Sequence, residues 1–163
     1  MKSNLFFLLF IFTSLNVYCQ TGERFNYQLG PDGNRYIVSL KSEKPISKDA
    51  RGVLGRFLDE HWLTNNYVSI IEKSIPADKL QKLTNERVSI TYSLTGRVLR
   101  ILIYFSKNSI DILSEYDLWA LDSNLRNFNM DMSKIRIEYP ENWVQGTEAF
   151  WVCSFPLKMK RKQ

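Results

Sequence analysis

The clearest hydrophobic pattern in the chain is an alternation of apolar residues with serine and threonine over residues 88–95. A repeat of two residues is typical of a β-strand with one buried and one exposed face. Thr95 and Gly96 interrupt the pattern, and the apolar run Val98–Phe105 follows. Together they predict an antiparallel hairpin. We expect its second strand to lie more centrally in the sheet, because it is apolar on both faces apart from Arg100.

A second hairpin is predicted near the start of the chain. The β-prone segments Phe25–Leu29 and Tyr36–Leu40 flank the sequence GPDGN at 30–34. Glycine, proline, aspartate and asparagine are the residues that tight turns favour, so the two segments are expected to pair.

The spacing of apolar residues changes after Ser47. From Val53 to Trp62, and including His61, apolar or aromatic side chains recur at steps of one, three and four, which predicts a helix. Tyr67–Ile71 is predicted as a short strand. Pro76 predicts the start of a short helix that ends at Leu83, because proline suits the first turn of a helix.

The most regular helical pattern covers Asp111–Phe128. Ser114 and Asp117 have the spacing of a capping box. An apolar stripe is predicted to pack on the strand Val98–Phe105; it consists of Leu118, Leu121, Leu125 and Phe128.

Two further strands are predicted near the end of the chain, at Lys134–Tyr139 and Phe150–Phe155, and a loop joins them over Pro140–Glu148. All these elements predict an α+β fold, an antiparallel sheet with helices packed on one face.

The N-terminus has the features of a secretory signal peptide. Lys2 precedes the apolar run Leu5–Phe12, which is too short to span a membrane because a spanning helix needs about 20 residues. Val17 and Cys19 provide small residues for cleavage after Cys19. The alternative is that Cys19 is a lipidated lipoprotein cysteine, but the bulky Tyr18 disfavours it. We therefore expect a protein exported to the periplasm or the cell surface.

Export leaves Cys153 as the one cysteine of the mature chain. It lies in an apolar segment, so we expect a buried thiol in preference to a bridge between chains. The chain carries a net charge of +5, but this excess comes from the two ends. Without Lys2 and the four basic residues of segment 158–162, the chain has 17 basic and 17 acidic residues. A neutral body argues against a nucleic-acid partner, whereas the tail is expected to be solvated or to touch an anionic membrane.

Residues 87–155 resemble the C-terminal domain of TonB, the energy transducer of Gram-negative outer-membrane transport. The resemblance rests on the order of strand, turn, strand, helix and strand. It also rests on Thr95-Gly96-Arg97-Val98, which stands where that family has its Gly-x-Val hairpin, on Asp117–Leu125 at the family's helix, and on Phe150–Phe155 at its last strand. The chain is also similar to short secreted proteins of Bacteroidota that carry this module alone. It lacks the membrane anchor and proline-rich arm of TonB, so force transmission is not expected, and the loop Pro140–Glu148 is an added feature.

With the resemblance, these features predict a domain plan. We expect a signal peptide at 1–19, one α+β domain at 20–157 and a basic tail at 158–163, with an N-terminal hairpin and helix at 20–85 and a TonB-like part at 86–157 of the domain.

The resemblance also implies a mode of binding, since the last strand of that family pairs with a short peptide of its receptor. A sheet edge offers unpaired N–H and C=O groups that an extended peptide can satisfy. The implied partner is a protein or peptide of the cell envelope. The candidate binding residues are Phe150, Trp151, Val152, Cys153, Ser154 and Phe155.

No catalytic signature is found in the sequence. A Ser-His-Asp or Cys-His arrangement would have to use His61, which we interpret as a partly buried structural residue beside Trp62. One histidine and one mature cysteine are too few for a zinc site, and no phosphate-binding loop is present. We therefore expect a protein that is not an enzyme and that binds no cofactor or metal.

The alternative function is a small-ligand or glycan binder. Tryptophan rings stack on sugars, and Trp143 is the one tryptophan predicted to lie in a loop.

Overall fold

The computed structural model describes residues 24–31 and 33–159. The predicted signal peptide, Cys19 and residues 160–163 of the tail lie outside the described residues. The elements in chain order are β1 (Phe25–Leu29), β2 (Arg35–Leu40), β3 (Arg51–Gly52), β4 (Leu54–Phe57), α1 (Glu60–Ser74), α2 (Ala77–Lys82), β5 (Arg87–Ser93), β6 (Val98–Ser106), α3 (Glu115–Arg126), a 3-10 turn (Met132–Lys134), β7 (Ile135–Glu138) and β8 (Ala149–Pro156).

Six strands form the main sheet, in the order β1-β2-β6-β5-β8-β3. Neighbouring strands are antiparallel, except that β3 runs parallel to β8. Strands β4 and β7 pair separately as a two-stranded antiparallel ribbon. The α+β class, the mostly antiparallel sheet and both predicted hairpins are thereby confirmed.

Helices α1 and α3 pack on one face of the main sheet. Tyr67 of α1 stacks on Phe155 of β8 with ring centroids 4.0 Å apart. The two helices also contact each other, since the Asn124 side-chain amide donates to the Ser74 hydroxyl at 2.9 Å. The sheet contributes to this core Val38, Val88, Ile90, Tyr92, Ile101, Ile103, Phe105, Trp151, Cys153 and Phe155.

The predicted helix over Val53–Trp62 is wrong in its first half. Residues 51–57 form β3 and β4, and helix α1 begins at Glu60 after the N-cap Asp59, whose carboxylate accepts from the Trp62 N–H at 2.9 Å. Pairing of β3 with β8 and of β4 with β7 outweighs the local helical spacing. Gly55 also lies so close to the Trp151 indole that a larger residue would not fit.

The predicted strand Tyr67–Ile71 is also wrong, because this segment belongs to α1. Its buried residues Tyr67, Val68 and Ile71 have helical spacing when the preceding Thr64 is included. A window of five residues was too short to separate the two periods.

The predicted cap of α3 is confirmed. The Ser114 hydroxyl accepts from the Asp117 N–H at 3.3 Å, and the Asp117 carboxylate accepts from the Ser114 N–H at 2.7 Å. The helix begins at Glu115, four residues later than the pattern predicted, because this capping box sets its start.

Candidate functional site

The two edges of β8 have different surroundings. One edge pairs with β5 from Phe150 to Pro156, over the whole candidate segment. Among the described residues, the other edge pairs only with β3, at Ala149 and Phe150. The chain then leaves β3 as the Val53 N–H donates to the Phe150 carbonyl at 2.8 Å. Phe150 is therefore occupied by the fold, which makes the available edge shorter than the predicted segment.

Hydrogen bonds at its two ends fix which main-chain groups of β8 point outward. The Phe150 carbonyl faces β3, whereas the Leu157 N–H donates to Glu86 on the β5 side at 2.8 Å. Because the direction alternates along a strand, Val152, Ser154 and Pro156 face outward with Phe150. Pro156 has no N–H and so fits this outward position. The outward edge thus offers the N–H groups of Val152 and Ser154.

The side chains of β8 alternate between the core and the open face of the sheet. Trp151, Cys153 and Phe155 are buried in the core, whereas Val152 is 50% exposed. Three of the six predicted binding residues therefore have side chains that belong to the core. A partner would reach the main chain of the segment and the side chains of Val152 and Ser154.

The predicted burial of Cys153 is confirmed, and it adjoins a buried tyrosine pair. The hydroxyls of Tyr67 and Tyr92 lie 2.8 Å apart. Burial raises the pKa of both tyrosines far above the usual range, and burial raises the pKa of the Cys153 thiol to about 11, although a hydrogen bond with Tyr67 acts to lower it. A thiol held protonated in this way is a poor nucleophile at neutral pH.

The interpretation of His61 as a partly buried structural residue is wrong, because His61 is exposed at the start of α1.

Trp143 does lie in the predicted loop, where it is half-buried and packs on Tyr139 with ring centroids 4.9 Å apart. The cavity beside this loop is lined by residues 144–148 together with Lys48, Asp49 and Arg51, and not by Trp143.

A cavity of about 590 Å³ lies beside a different tryptophan, Trp119, which is 41% exposed on α3. We call it the Trp119 cavity. It is bounded by α3, by the loop after β2 and by the start of β6, where a β-bulge opposite Thr91 and Tyr92 interrupts the alternation of the strand. The sequence carried one signal for an exposed Trp119, since it lies off the apolar stripe of its helix. The lining residues are Leu40, Ser42, Glu43, Lys44, Arg97, Val98, Leu99, Trp119, Asp122, Ser123, Arg126 and Asn127.

Arg126 links two carboxylates in this cavity. Its Nε donates to Asp122 at 2.8 Å, and its Nη2 donates to Glu43 at 2.7 Å. The Glu43 side chain is 7% exposed, and its Oε1 also accepts from the Ile101 N–H at 3.1 Å. Strand β2 pairs with β6 only as far as Val38, which lies opposite Ile103. The Glu43 carboxylate therefore accepts a hydrogen bond from β6 at a position beyond the end of that pairing. Within the described residues, Oε2 of Glu43 is buried without a hydrogen-bond partner.

The same contacts shift the pKa of two of these groups. Burial raises the pKa of Asp122 even though Arg126 acts to lower it. Burial acts to lower the pKa of Arg126, but its hydrogen bonds with Asp122 and Glu43 raise that pKa above the usual value. Arg126 is therefore a permanent cation between two carboxylates.

Within residues 24–31 and 33–159, no group of three or more His, Cys, Asp or Glu side chains has an arrangement that could hold a metal ion. None of the helices in this same part is long and apolar enough to cross a membrane.

No protein-family model matches the sequence, and no curated protein is significantly similar to it. Among solved structures, the chain is similar to the crystal structure of a DUF5043 family protein from Bacteroides uniformis. The two share 9% identity with a TM-score of 0.49, and the alignment covers 83% of this chain and 87% of that chain.

Proposed function

We propose that this protein is an exported, non-enzymatic binding module of the cell envelope, which captures an extended segment of a partner protein on the outer edge of β8. The observation that carries the proposal is the pair of outward N–H groups at Val152 and Ser154, beyond the end of β3. Export is inferred from the signal-like segment 1–19.

The resemblance to the TonB C-terminal domain supports the same mode of binding. The order β5, β6, α3, β8 follows the order of elements in that family, with β7 and its loops as an addition. A partner strand would gain main-chain hydrogen bonds from Val152 and Ser154, and the exposed Val152 side chain would contact the partner side chain beside it on the same face of the sheet.

A proline substitution tests the proposal. Extended peptides selected from a displayed library on the purified protein are measured against two variants. Val152→Pro removes one outward N–H, whereas Val152→Thr keeps that N–H and changes the side chain. Because position 152 does not donate to β5, both variants are expected to fold, which circular dichroism verifies.

Peptides that pair with β8 should lose about tenfold or more in affinity on Val152→Pro, since about 1.4 kcal/mol corresponds to tenfold. They should bind Val152→Thr within a few-fold of the parent. Equal binding by a folded Val152→Pro variant would refute pairing at β8.

A second candidate function is the binding of a small ligand or glycan, and the structure favours Trp119 over Trp143 as its site. The Trp119 cavity has the size of ordinary ligand sites, and it combines an exposed indole with charged and amide side chains. In a glycan-array screen, a ligand of this cavity should be lost in Trp119→Ala and kept in Trp143→Ala. Binding that is kept in Trp119→Ala and lost in Trp143→Ala would place the ligand at the loop of Trp143.

A further inference from the structure

The outer edge of β1 lacks a neighbouring strand among the described residues, because β1 is the first strand of the sheet. The Lys41 N–H donates to the Arg24 carbonyl at 2.9 Å, and the Gly30 N–H donates to the Arg35 carbonyl at 2.7 Å. Arg24 and Gly30 therefore face β2. By alternation, Phe25, Tyr27 and Leu29 direct their N–H and C=O groups outward.

In the part of the chain that the structure describes, this edge lacks the usual protection against pairing. Natural edge strands are blunted by charged residues, prolines, bulges or a covering element. The sequence of β1, FNYQL, has neither charge nor proline, and its register with β2 is regular over all five residues. The other edge of the sheet, by contrast, is covered in part by β3 and ends at Pro156.

Apolar side chains are exposed beside the same edge. Tyr27 is 43% exposed and Leu29 is 52% exposed, and helix α3 adds Tyr116 at 78% and Trp119 at 41%. We call these four residues the β1–α3 surface. The Arg24 guanidinium lies 4.6 Å from the Trp119 ring centroid, which places the beginning of β1 against α3.

We propose that two copies of this chain associate through β1, paired antiparallel about a twofold axis at Tyr27, so that their two six-stranded sheets become continuous. In this register Tyr27 lies opposite Tyr27 of the second copy, and Phe25 lies opposite Leu29. The outward N–H and C=O groups of all three residues then find partners. The proposal is independent of peptide capture, because it uses the opposite edge of the sheet.

The chemistry of β1 fits a second copy of itself. Asn26 lies opposite Gln28 of the other copy, so two side-chain amides can exchange hydrogen bonds on the open face of the sheet. On the other face, the two β1–α3 surfaces meet beside Tyr27. Arg24 lies opposite Gly30, so no like charges face each other along the two paired strands. Such a self-complementary patch is what a twofold interface requires.

Sedimentation velocity of the purified protein tests the association. The wild-type protein is expected to show a concentration-dependent dimer in the micromolar to submillimolar range. Tyr27→Pro removes an outward N–H without breaking the β1–β2 ladder, and should weaken the dimer about tenfold or more. The matched variant Val152→Pro, at the opposite edge, should leave the dimer unchanged.

Cysteine cross-linking tests the register. Residues directly opposite in an outward-facing pair have Cα atoms about 5.5 Å apart, which a disulfide spans. Tyr27→Cys should therefore form a disulfide-linked dimer under mild oxidation, with the bridge located at position 27 of both copies by mass spectrometry. Gln28→Cys, in which the two introduced thiols lie two residues out of register, should cross-link far less.

A monomer throughout the concentration range would overturn the proposal. So would an undiminished dimer in folded Tyr27→Pro, a dimer lost in Val152→Pro instead, or equal cross-linking at positions 27 and 28. If Tyr27→Pro does not fold, Tyr27→Lys places two like charges across the twofold axis while keeping the N–H. It should give a dimer that is weakened and that strengthens with added salt.

Discussion

Single residues in this protein are constrained by residues that are distant in sequence and pack against them. Gly55 shows this most directly. A Cβ atom built on Gly55 would lie 2.8 Å from Cε3 of Trp151, inside any real contact distance, whereas a Cβ atom on Gly52 would meet the ring of Phe150 at 3.6 Å. The Trp151 indole is fully buried and donates to the Ser93 carbonyl at 3.2 Å, so it has little freedom to move.

Gly55→Ala is therefore expected to destabilise the fold by about 1–3 kcal/mol, the usual cost of overpacking a core. Gly52→Ala, in the preceding strand β3, is the matched control and should change stability by about 0.5 kcal/mol or less. Urea unfolding followed by tryptophan fluorescence measures both. Equal stability of the two variants would contradict a fixed indole at Trp151.

Residue-level expectations succeeded where the immediate neighbours decide the environment. Cys153 lies in a run of apolar residues, so its burial followed from the local sequence. His61 also lies in an apolar stripe, yet it is exposed. The sequence pattern predicts a helix that begins at Val53, whereas the helix begins at Glu60, so His61 lies in its exposed first turn. The error in the element thus produced the error in the residue.

Among the elements, helix α3 has an N-terminus that is fixed by its own capping residues and stabilised by a contact with helix α2. Asp117 closes the capping box with Ser114 and also forms an ion pair with Lys79 of α2. Burial acts to raise the pKa of Asp117, but hydrogen bonds from Lys79 and Ser114 together bring it below the usual value. A lowered folded-state pKa means that the carboxylate stabilises the fold above the unfolded-state pKa and that this contribution is lost as the pH falls.

We expect Asp117→Asn to lower the stability at pH 7 by about 1–3 kcal/mol, because the ion pair and charged cap are lost. The difference from the wild type should shrink as the pH falls below about 4, where the unfolded carboxyl of the wild type becomes protonated. Asp78→Asn, at an exposed aspartate of α2, serves as the control and should stay within about 0.5 kcal/mol at both pH values. Urea unfolding at a series of pH values measures both variants, and a difference that stays constant from about pH 7 to about pH 3 would contradict the role assigned to Asp117.

At the same scale, strands β5 and β6 and helix α3 followed from their periodicity, because each is long enough for its repeat to be unambiguous. Strands β3 and β4 did not, since they comprise two and four residues. Elements of this length exist only through their partners β8 and β7, and no local signal records such pairing.

On the scale of the whole molecule, the excess of basic over acidic residues comes from the ends of the chain. Lys158 is the last basic residue that the structure describes, and its Nζ donates to the Gln81 carbonyl at 3.0 Å. Lys160, Arg161 and Lys162 follow it in the sequence. A basic cluster next to an anionic bilayer is attracted by about 1 kcal/mol for each residue.

Substitution of Lys160, Arg161 and Lys162 by glutamine should therefore weaken binding to vesicles that contain anionic phosphatidylglycerol, by up to about 3 kcal/mol. A variant with Lys48, Lys73 and Lys107 changed to glutamine removes the same charge from scattered exposed positions and should bind nearly as the wild type does. Vesicle co-sedimentation measures both variants, with neutral phosphatidylcholine as the reference. A wild type that binds both lipids equally would exclude an electrostatic role for the tail.

The sequence by itself determined the α+β class, the two hairpins, the capped helix α3 and the burial of Cys153, because each follows from periodicity or capping within a few residues. Only the tertiary structure decided which strand edges stay open, since an edge is defined by the strand that is missing beside it. It likewise decided that β3 covers Phe150 and that Glu43 reaches Arg126 across the fold. Such features depend on residues far apart in the chain, which only packing brings together.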